Sequence, residues 1–338
     1  MGVMRMSNDV ITVEALEKIL QEIAKSDDYT LFAPVKNGKT LDFAEITDGG
    51  DIEICDDIAY KSPKEVVFPQ VEKLMVFKDG EVTESVDDRK TVVFGAKPCD
   101  AEALRVLHAI LSSGAYQDTF FKRRFDNNVL IAVGCREEKP GCFCAHRGTN
   151  RMFSDFADIM LVPDGDGGGY IPFLISDKGK ALWEEFGGNS EPEACSFGVI
   201  GREDVKRLEL DKNLDDAMLF DIIDWGKAAE ICQGCGMCTF ICPSCHCFDI
   251  KDVTEKGAAT RYRCWDSCLY PKFTLHASGH NPRETVKERF RQRVLHKYLY
   301  INKNYGYTAC TGCGRCIRGC PAGMNIKKVV ESIMEVLP

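Results

Sequence analysis

Near the C-terminus the cysteines repeat one pattern. The first run is Cys232-Gln-Gly-Cys235-Gly-Met-Cys238-Thr-Phe-Ile-Cys242-Pro243, and the second is Cys310-Thr-Gly-Cys313-Gly-Arg-Cys316-Ile-Arg-Gly-Cys320-Pro321. Both read C-x2-C-x2-C-x3-C-P, the spacing with which bacterial ferredoxins hold [4Fe–4S] clusters. Three closely spaced thiolates can wrap one cubane because the glycine-containing steps let the backbone curl, while the fourth points away to the other cluster. The spacing therefore assigns Cys232, Cys235, Cys238 and Cys320 to one cluster, and Cys310, Cys313, Cys316 and Cys242 to a second. The chemistry is one-electron transfer. C-x2-C is also zinc spacing, but zinc needs four ligands and gains nothing from a third C-x2 step followed by Cys-Pro.

Ten of the 18 cysteines lie outside these runs. Cys99 follows an apolar segment at Thr91–Gly95. Cys135 follows another at Asn128–Gly134, with Cys142 and Cys144 on the loop beyond it. In an open α/β sheet, sites gather beyond the carboxyl ends of the strands. These four could converge on one rim and hold a third iron–sulfur cluster, or be reduced structural thiols. Cys245-His246-Cys247 and Arg263-Cys264-Trp265-Asp266-Ser267-Cys268 form another group, placed to shield or tune a cluster or to bind something of its own. His246 reads as a hydrogen-bonding core residue rather than a ligand. Cys55 and Cys195 read as small buried apolar residues.

These cysteines need elements to position them, and the sequence supplies two kinds. Val13–Ala24 carries apolar residues at helical spacing. Thr30–Val35 and Leu41–Phe43 flank Asn37-Gly38, a hairpin signal, and another alternating stretch lies around Glu65–Phe77. The strands Thr91–Gly95 and Asn128–Gly134 enclose a helix at Asp100–Leu111, with Asp100 placed as its cap. Met160–Pro163 and Tyr170–Ile175 read as a hairpin across a glycine-rich turn. Residues 202–219 read as a polar helical connection, and Glu284–Tyr300 is helical in pattern. Between the two runs lie 67 residues, Pro243 to Ala309, far more than a small ferredoxin allows. The expected architecture is an α+β or α/β N-terminal domain with a cysteine-rich rim (1–222). A mostly α-helical dicluster ferredoxin domain (223–338) follows, with a helical insertion at 249–305.

Residues 225–338 hold 17 Lys+Arg and 9 Asp+Glu, whereas residues 1–224 hold 26 and 43. The basic half suits the net negative charge of thiolate-ligated clusters or the docking of a partner. No nucleic-acid-binding motif accompanies it. Gly38-Lys39-Thr40 lacks the upstream glycine of a phosphate loop, since Ala33 stands there, and Gly165-x-Gly167 opens no helix. No dinucleotide fingerprint appears, so donor and acceptor chemistry is expected in other subunits. There is no secretory signal, no myristoylation site and no apolar run near the ~18 residues that span a bilayer. The expected location is the cytoplasm of an anaerobic or microaerobic cell, with neither nucleic acid nor membrane as partner.

Several segments together resemble a known family. They are Ser62-Pro-Lys-Glu-Val-Val-Phe-Pro69, Phe94-Gly-Ala-Lys-Pro-Cys-Asp100, Gly134-Cys-Arg-Glu, Cys142-Phe-Cys144 and Gly148-Thr-Asn150. In the C-terminal half they are Cys242-Pro-Ser-Cys-His-Cys-Phe248, Trp265-Asp-Ser-Cys268, Arg291–Lys297 and both cluster runs. The chain is similar to the iron–sulfur beta subunits of cytoplasmic NAD(P)-linked [NiFe] hydrogenases (sulfhydrogenases) and to the equivalent component of anaerobic sulfite reductase. The resemblance implies an electron-transfer subunit with no catalytic site of its own. It also implies a partner carrying FAD and a [2Fe–2S] centre that reacts with NAD(P)H, and a catalytic partner of the [NiFe] hydrogenase type. Cys195 and Cys264 fall outside the pattern. Other readings are the electron-transfer subunit of an anaerobic sulfite reductase or of a heterodisulfide-reductase-linked complex, a free-standing flavin or redox enzyme, and an adaptor whose clusters only stabilise the fold.

Overall fold

A computed structural model describes residues 10–165, 168–187, 205–255 and 257–337. Its first half is built on a seven-stranded mixed sheet of β1 (Ile11–Thr12), β2 (Tyr29–Asn37), β3 (Thr40–Ile46), β6 (Lys90–Ala96), β7 (Asn128–Val133), β8 (Ile159–Pro163) and β9 (Gly169–Leu174). The spatial order is β1-β9-β8-β7-β6-β2-β3. β2, β6, β7 and β8 run parallel, and antiparallel strands close both edges. A parallel core must be covered on both faces, which is why every residue of Asn128-Val-Leu-Ile-Ala-Val133 is buried. On one face Leu16, Leu20 and Ile23 of α1 (Val13–Lys25) pack with Leu182 and Trp183 of α5 (Asp177–Phe186). On the other, Leu104 and Leu107 of α3 (Pro98–Leu111) meet Phe121 of α4 (Thr119–Asp126).

A second sheet draws on both halves of the sequence. β4 (Val71–Lys78) and β5 (Glu81–Glu84) pair with the hairpin β10 (Phe248–Glu255) and β11 (Ala258–Trp265), in the order β10-β11-β4-β5. The helical insertion expected over 249–305 is therefore corrected. Its first part, 248–265, is a β-hairpin whose free backbone groups are satisfied by β4, a partner 191 residues distant at the Arg263–Glu72 contact. Helix resumes at α9 (Val286–Leu295), a π-helical turn (His296–Tyr300) and α10 (Ile301–Tyr305). The other helices are single-turn α2 (Lys64–Val67), α6 (Asp216–Ile222), single-turn α7 (Trp225–Ala228), α8 (Met237–Phe240) and α11 (Arg315–Arg318), and α12 (Ile326–Val336). None among the described residues is long and apolar enough to cross a membrane.

Three other expectations shift. The helix after β6 begins at Pro98, so Asp100 is its third residue, accepting from the Lys97 backbone N–H (3.1 Å) rather than serving as the cap. The connection expected to be helical over 202–219 is irregular from 206 to 210, where Leu208 and Leu210 are buried against α9 and α12, and helix starts only at Asp216. The first residues of that span, with Cys195, lie outside the described residues. Cys55 is half-buried instead of a core residue, its carbonyl accepting from Lys97 Nζ (2.9 Å).

A buried ion cluster joins the sheets. Arg263 Nε of β11 donates to Glu72 Oε2 of β4 (2.8 Å), Arg124 of α4 donates to the same carboxylate, and Arg263 also reaches Asp118, the cap of α4. Burial and the neighbouring Arg263 pull the Arg124 guanidinium down to about 10. Replacing Glu72 by Gln leaves two buried cations under-compensated. Chemical denaturation should report a loss of about 3–5 kcal/mol, whereas removing the exposed pair Lys122–Asp126 should change stability by less than about 1 kcal/mol.

Candidate iron–sulfur relay

The two cysteine runs fold alike. In each, a left-handed glycine (Gly236, φ 77°; Gly314, φ 72°) turns the chain into a single-turn helix, α8 or α11, that carries the third cysteine. Cys232, Cys235, Cys238 and Cys320 line one cavity of about 490 Å³, the outer cavity, whose wall Cys235 brings to the surface. Cys242, Cys310, Cys313 and Cys316 line a second, middle cavity of about 330 Å³. Cys99, Cys135, Cys142 and Cys144 line a third, rim cavity of about 310 Å³, beyond the carboxyl ends of β6 and β7. Each fourth cysteine of a run thus lies with the three cysteines of the opposite run. No three His, Cys, Asp or Glu side chains among the described residues converge as ligands of one ion would. The sulfurs ring volumes instead, as a cubane requires, since its thiolates sit on different irons.

The three cavities share walls. Cys313 lines both the rim and the middle cavity, and Cys316, Arg293 and Ile326 line both the middle and the outer. The loop carrying Cys142 and Cys144 interlocks with the second run. Phe143 N–H donates to Gly312 O (2.8 Å), and Cys142 Sγ donates to Cys313 O (3.4 Å). A Cβ at Gly312 would stand 2.6 Å from the Phe143 carbonyl carbon and the Cys144 nitrogen, so only glycine permits this approach. Arg315, between Cys313 and Cys316, is buried in a bidentate pair with Asp100 (2.6 and 3.0 Å) and donates to Ala59 O (2.9 Å). Asp100 adjoins Cys99, so this pair ties the rim to the second run.

Positive charge collects around the sulfurs. Arg289, Arg293 and Lys297 follow at four-residue spacing along α9 and the π-helical turn, and all three are buried. Arg293 Nε donates to Cys238 Sγ (3.1 Å) and Nη2 to Cys238 O (3.1 Å). Lys297 Nζ donates to Ser244 Oγ (2.8 Å), and the next residue, Tyr298, donates from its hydroxyl to Cys310 Sγ (3.3 Å). Lys64 donates to Cys245 O (2.9 Å) and lies 3.8 Å from the Trp265 ring centre. Arg147 donates to Cys310 O (3.0 Å). None of these five cations has a carboxylate partner among the described residues. Burial opposes the charges of Arg293 and Lys297, but nearby thiolates (Cys238 first for Arg293, Cys242 first for Lys297) raise both above their ordinary values. Lys64 has less compensation, and burial pulls it down to about 8.

These features fit iron–sulfur clusters. Buried donors Arg147 Nη1, Arg151 Nε and Arg289 Nε have no protein acceptor. Arg151 lines the rim cavity, Arg147 is bonded to the cysteine Cys310 of the middle one, and Arg289 stands beside Gly234 of the first run. Cluster sulfides and thiolates are acceptors of the charge such donors require. Burial also pushes the thiols of Cys144 up to about 12 and Cys313 up to about 11. Iron would displace those protons on binding.

Of the expected residues, the structure gathers all twelve cysteines into three sets of four. The basic residues of the C-terminal half divide on α9: Arg293 bonds a cysteine, Arg289 lies near the first run, and Arg291 points away, stacked on Phe220 at 3.7 Å. Lys64, Arg147, Lys297, Tyr298 and the Asp100–Arg315 pair escaped sequence reading. The four-residue cation spacing of α9, unusual on a face that also carries core residues, was the available signal for Lys297. His246 Nδ1–H donates to Ser244 O (3.2 Å), and burial draws its pKa down to about 4.

A family described as a 4Fe-4S dicluster domain matches residues 231–324. Over 321 residues, covering 91% of this chain and 93% of its counterpart, the sequence is 32% identical to sulfhydrogenase 2 subunit beta of Pyrococcus furiosus. The chain belongs to the sulfhydrogenase beta-subunit family. It is thus a hydrogenase-type iron–sulfur beta subunit, with a [4Fe–4S] dicluster domain in its C-terminal half. No solved structure matches the chain.

In this beta subunit, Gly312→Ala should separate the rim loop from the second run. The left-handed backbone alone costs about 1–3 kcal/mol, and the methyl group adds a clash. Thermal unfolding should show a lowered Tm.

Proposed function

We propose that this chain relays electrons within a cytoplasmic multisubunit oxidoreductase, between a flavin- and [2Fe–2S]-containing subunit that reacts with NAD(P)H and a [NiFe] hydrogenase-type catalytic subunit. The observation that carries the reading is the row of three sulfur-lined cavities with common walls, ending at the surface near Cys235. The relative's name places it in a sulfhydrogenase, an assembly in which a beta subunit needs partners. Residues 223–338 would form the dicluster unit, and residues 1–222 would supply the rim set. Cys232, Cys235, Cys238 and Cys320 would hold the outer cluster, Cys242, Cys310, Cys313 and Cys316 the middle one, and Cys99, Cys135, Cys142 and Cys144 a third. The clusters supply one-electron chemistry, and the chain holds, insulates and tunes them, with no catalytic site of its own.

Arg293 is the main tuning residue of this reading. It lines two cavities at once, so its charge favours the reduced, more negative state of both clusters. Losing about 1.4 kcal/mol of that interaction corresponds to about 59 mV for a one-electron couple. Arg293→Gln should lower both potentials by an amount of this order in protein-film voltammetry, and Arg291→Gln should leave them in place.

Iron and acid-labile sulfide analysis of the anaerobically purified chain should give about twelve irons, four for each set. About eight would remove the rim cluster from the relay. Cys320→Ser should alter the EPR signal of the cluster held by Cys232, Cys235 and Cys238. Damage confined to the cluster of Cys310, Cys313 and Cys316 would reverse the crossed assignment.

A further inference from the structure

The two cysteine runs are copies of one pattern, yet the fold covers only one of them. Aligned on their cysteines, Ile231 corresponds to Ala309, Gln233 to Thr311, Gly234 to Gly312 and Met237 to Arg315. Every residue from Ala309 to Arg315 is buried, Ala309 at 0% exposure and Arg315 at 2%. At the matching positions of the first run Gln233 and Cys235 are exposed, Ile231 is 50% exposed and Met237 is 37% exposed. The larger apolar side chains are the ones left outside, the reverse of what hydrophobicity alone would give.

The cover over the second run comes from the first half of the chain. Phe143 N–H of the rim loop donates to Gly312 O (2.8 Å), a Cβ at Gly314 would collide with the Gly141 carbonyl, and Arg315 donates to Asp100 (2.6 and 3.0 Å). The same loop brings Cys142 and Cys144 to the rim cavity, which shares Cys313 with the middle one. Over the first run the counterpart is partial. The Tyr270 ring fills the space at Gly236, but a Cβ at Gly234 would meet nothing closer than Leu269 O at 3.5 Å. No backbone donor among the described residues reaches Gly234 O.

The surroundings of this open face are basic. The run itself with α7 (227–238), the Tyr270 segment (269–275), the start of α9 (283–289) and the outer-cavity wall (321–328) hold seven Lys+Arg against three Asp+Glu. Of the seven only Arg289 is buried, and Lys227, Lys272 and Lys287 are exposed. An apolar centre within a charged rim is the anatomy of a protein interface, and a basic rim selects an acidic one.

We propose that the outward face of the first run seats a cysteine-bearing loop of a partner subunit, one that ligates an iron–sulfur centre of its own and covers this run as the rim loop covers the second. The loop donates a backbone N–H to Gly234 O, packs apolar side chains on Ile231 and Met237, and is flanked by carboxylates that meet Lys227, Lys272 and Lys287. The proposal rests on the relay reading and adds the place and chemistry of the electron exchange. The partner's centre then stands to the outer cluster as the rim set stands to the middle one.

The test uses the native assembly, purified anaerobically at low salt through this chain, and the same chain freed by high salt, which screens such contacts. Acetylation of Lys227, Lys272 and Lys287 should fall several-fold in the assembly, and their cross-links should end on acidic residues of an iron–sulfur partner. EPR of the reduced assembly should show spin–spin interaction that is absent from the freed chain. Ile231→Glu should lower partner recovery about tenfold or more with the chain's own iron intact, since it places a charge at the apolar centre. Met237→Glu repeats the measurement should Ile231→Glu fold poorly. Unchanged acetylation, cross-links that end on a chain without an iron–sulfur centre, or partner retained by both variants overturns the proposal. Protection of the three lysines in the freed chain also overturns it, because a second copy (a dimeric mass in light scattering) or another segment of this chain would then cover the face. Iron counted in the freed chain keeps these outcomes apart from failure of the relay reading, which shows as fewer than about eight irons.

Discussion

Buried positive charge without carboxylate partners organises this molecule. Arg289, Arg293 and Lys297 enter the interior from one helix, and Lys64 and Arg147 enter from the first half of the chain. Removing an unpaired cation from water costs several kcal/mol, so such a set is stable only beside matching negative charge. The thiolates of the cysteine runs, carrying iron, are that charge. Cluster and protein are then mutually dependent: the cations stabilise the anionic centres, and the centres make the buried cations tolerable. The net basic character of the C-terminal half is explained in part by this arrangement.

The π-helical turn gives the arrangement its geometry. A regular α-helix continuing from Arg289 and Arg293 would present residues every fourth position to one line. Widening the turn at His296–Tyr300 lets the adjacent residues Lys297 and Tyr298 both serve the middle cavity, one through Ser244 and the other at Cys310. Functional helices often carry such a bulge where two neighbouring side chains must face the same site.

Much of this was legible in the residues. The doubled cysteine pattern announced which thiols the fold brings together, Cys320 lining a cavity with the first run and Cys242 one with the second. The apolar runs at Thr91–Gly95 and Asn128–Gly134 located β6 and β7, and the rule that sites follow carboxyl strand ends brought Cys99, Cys135, Cys142 and Cys144 to one rim. What was hidden depends on contacts distant in sequence. Residues 248–265 have no local property that demands a hairpin; β4 makes them one. Asp100 looked like a helix cap because its role as a partner for Arg315 lies 215 positions away. Lys64 gave no signal at all, since nothing in its neighbours announces that a lysine will be buried against Trp265.

The shared sheet has a consequence for how the protein is made. Glu72 and its partner Arg263 are separated by 191 residues, so β4 emerges from the ribosome long before β11 exists. At about 5–20 residues per second, that wait is roughly 10–40 s. Throughout it, one edge of the β4–β5 hairpin has unpaired backbone groups, and Glu72 lacks the arginine it will be buried with. Val71 and Val82 add apolar surface there even in the finished protein. The second sheet therefore cannot be completed until the chain has been made through β11, however fast the first half folds.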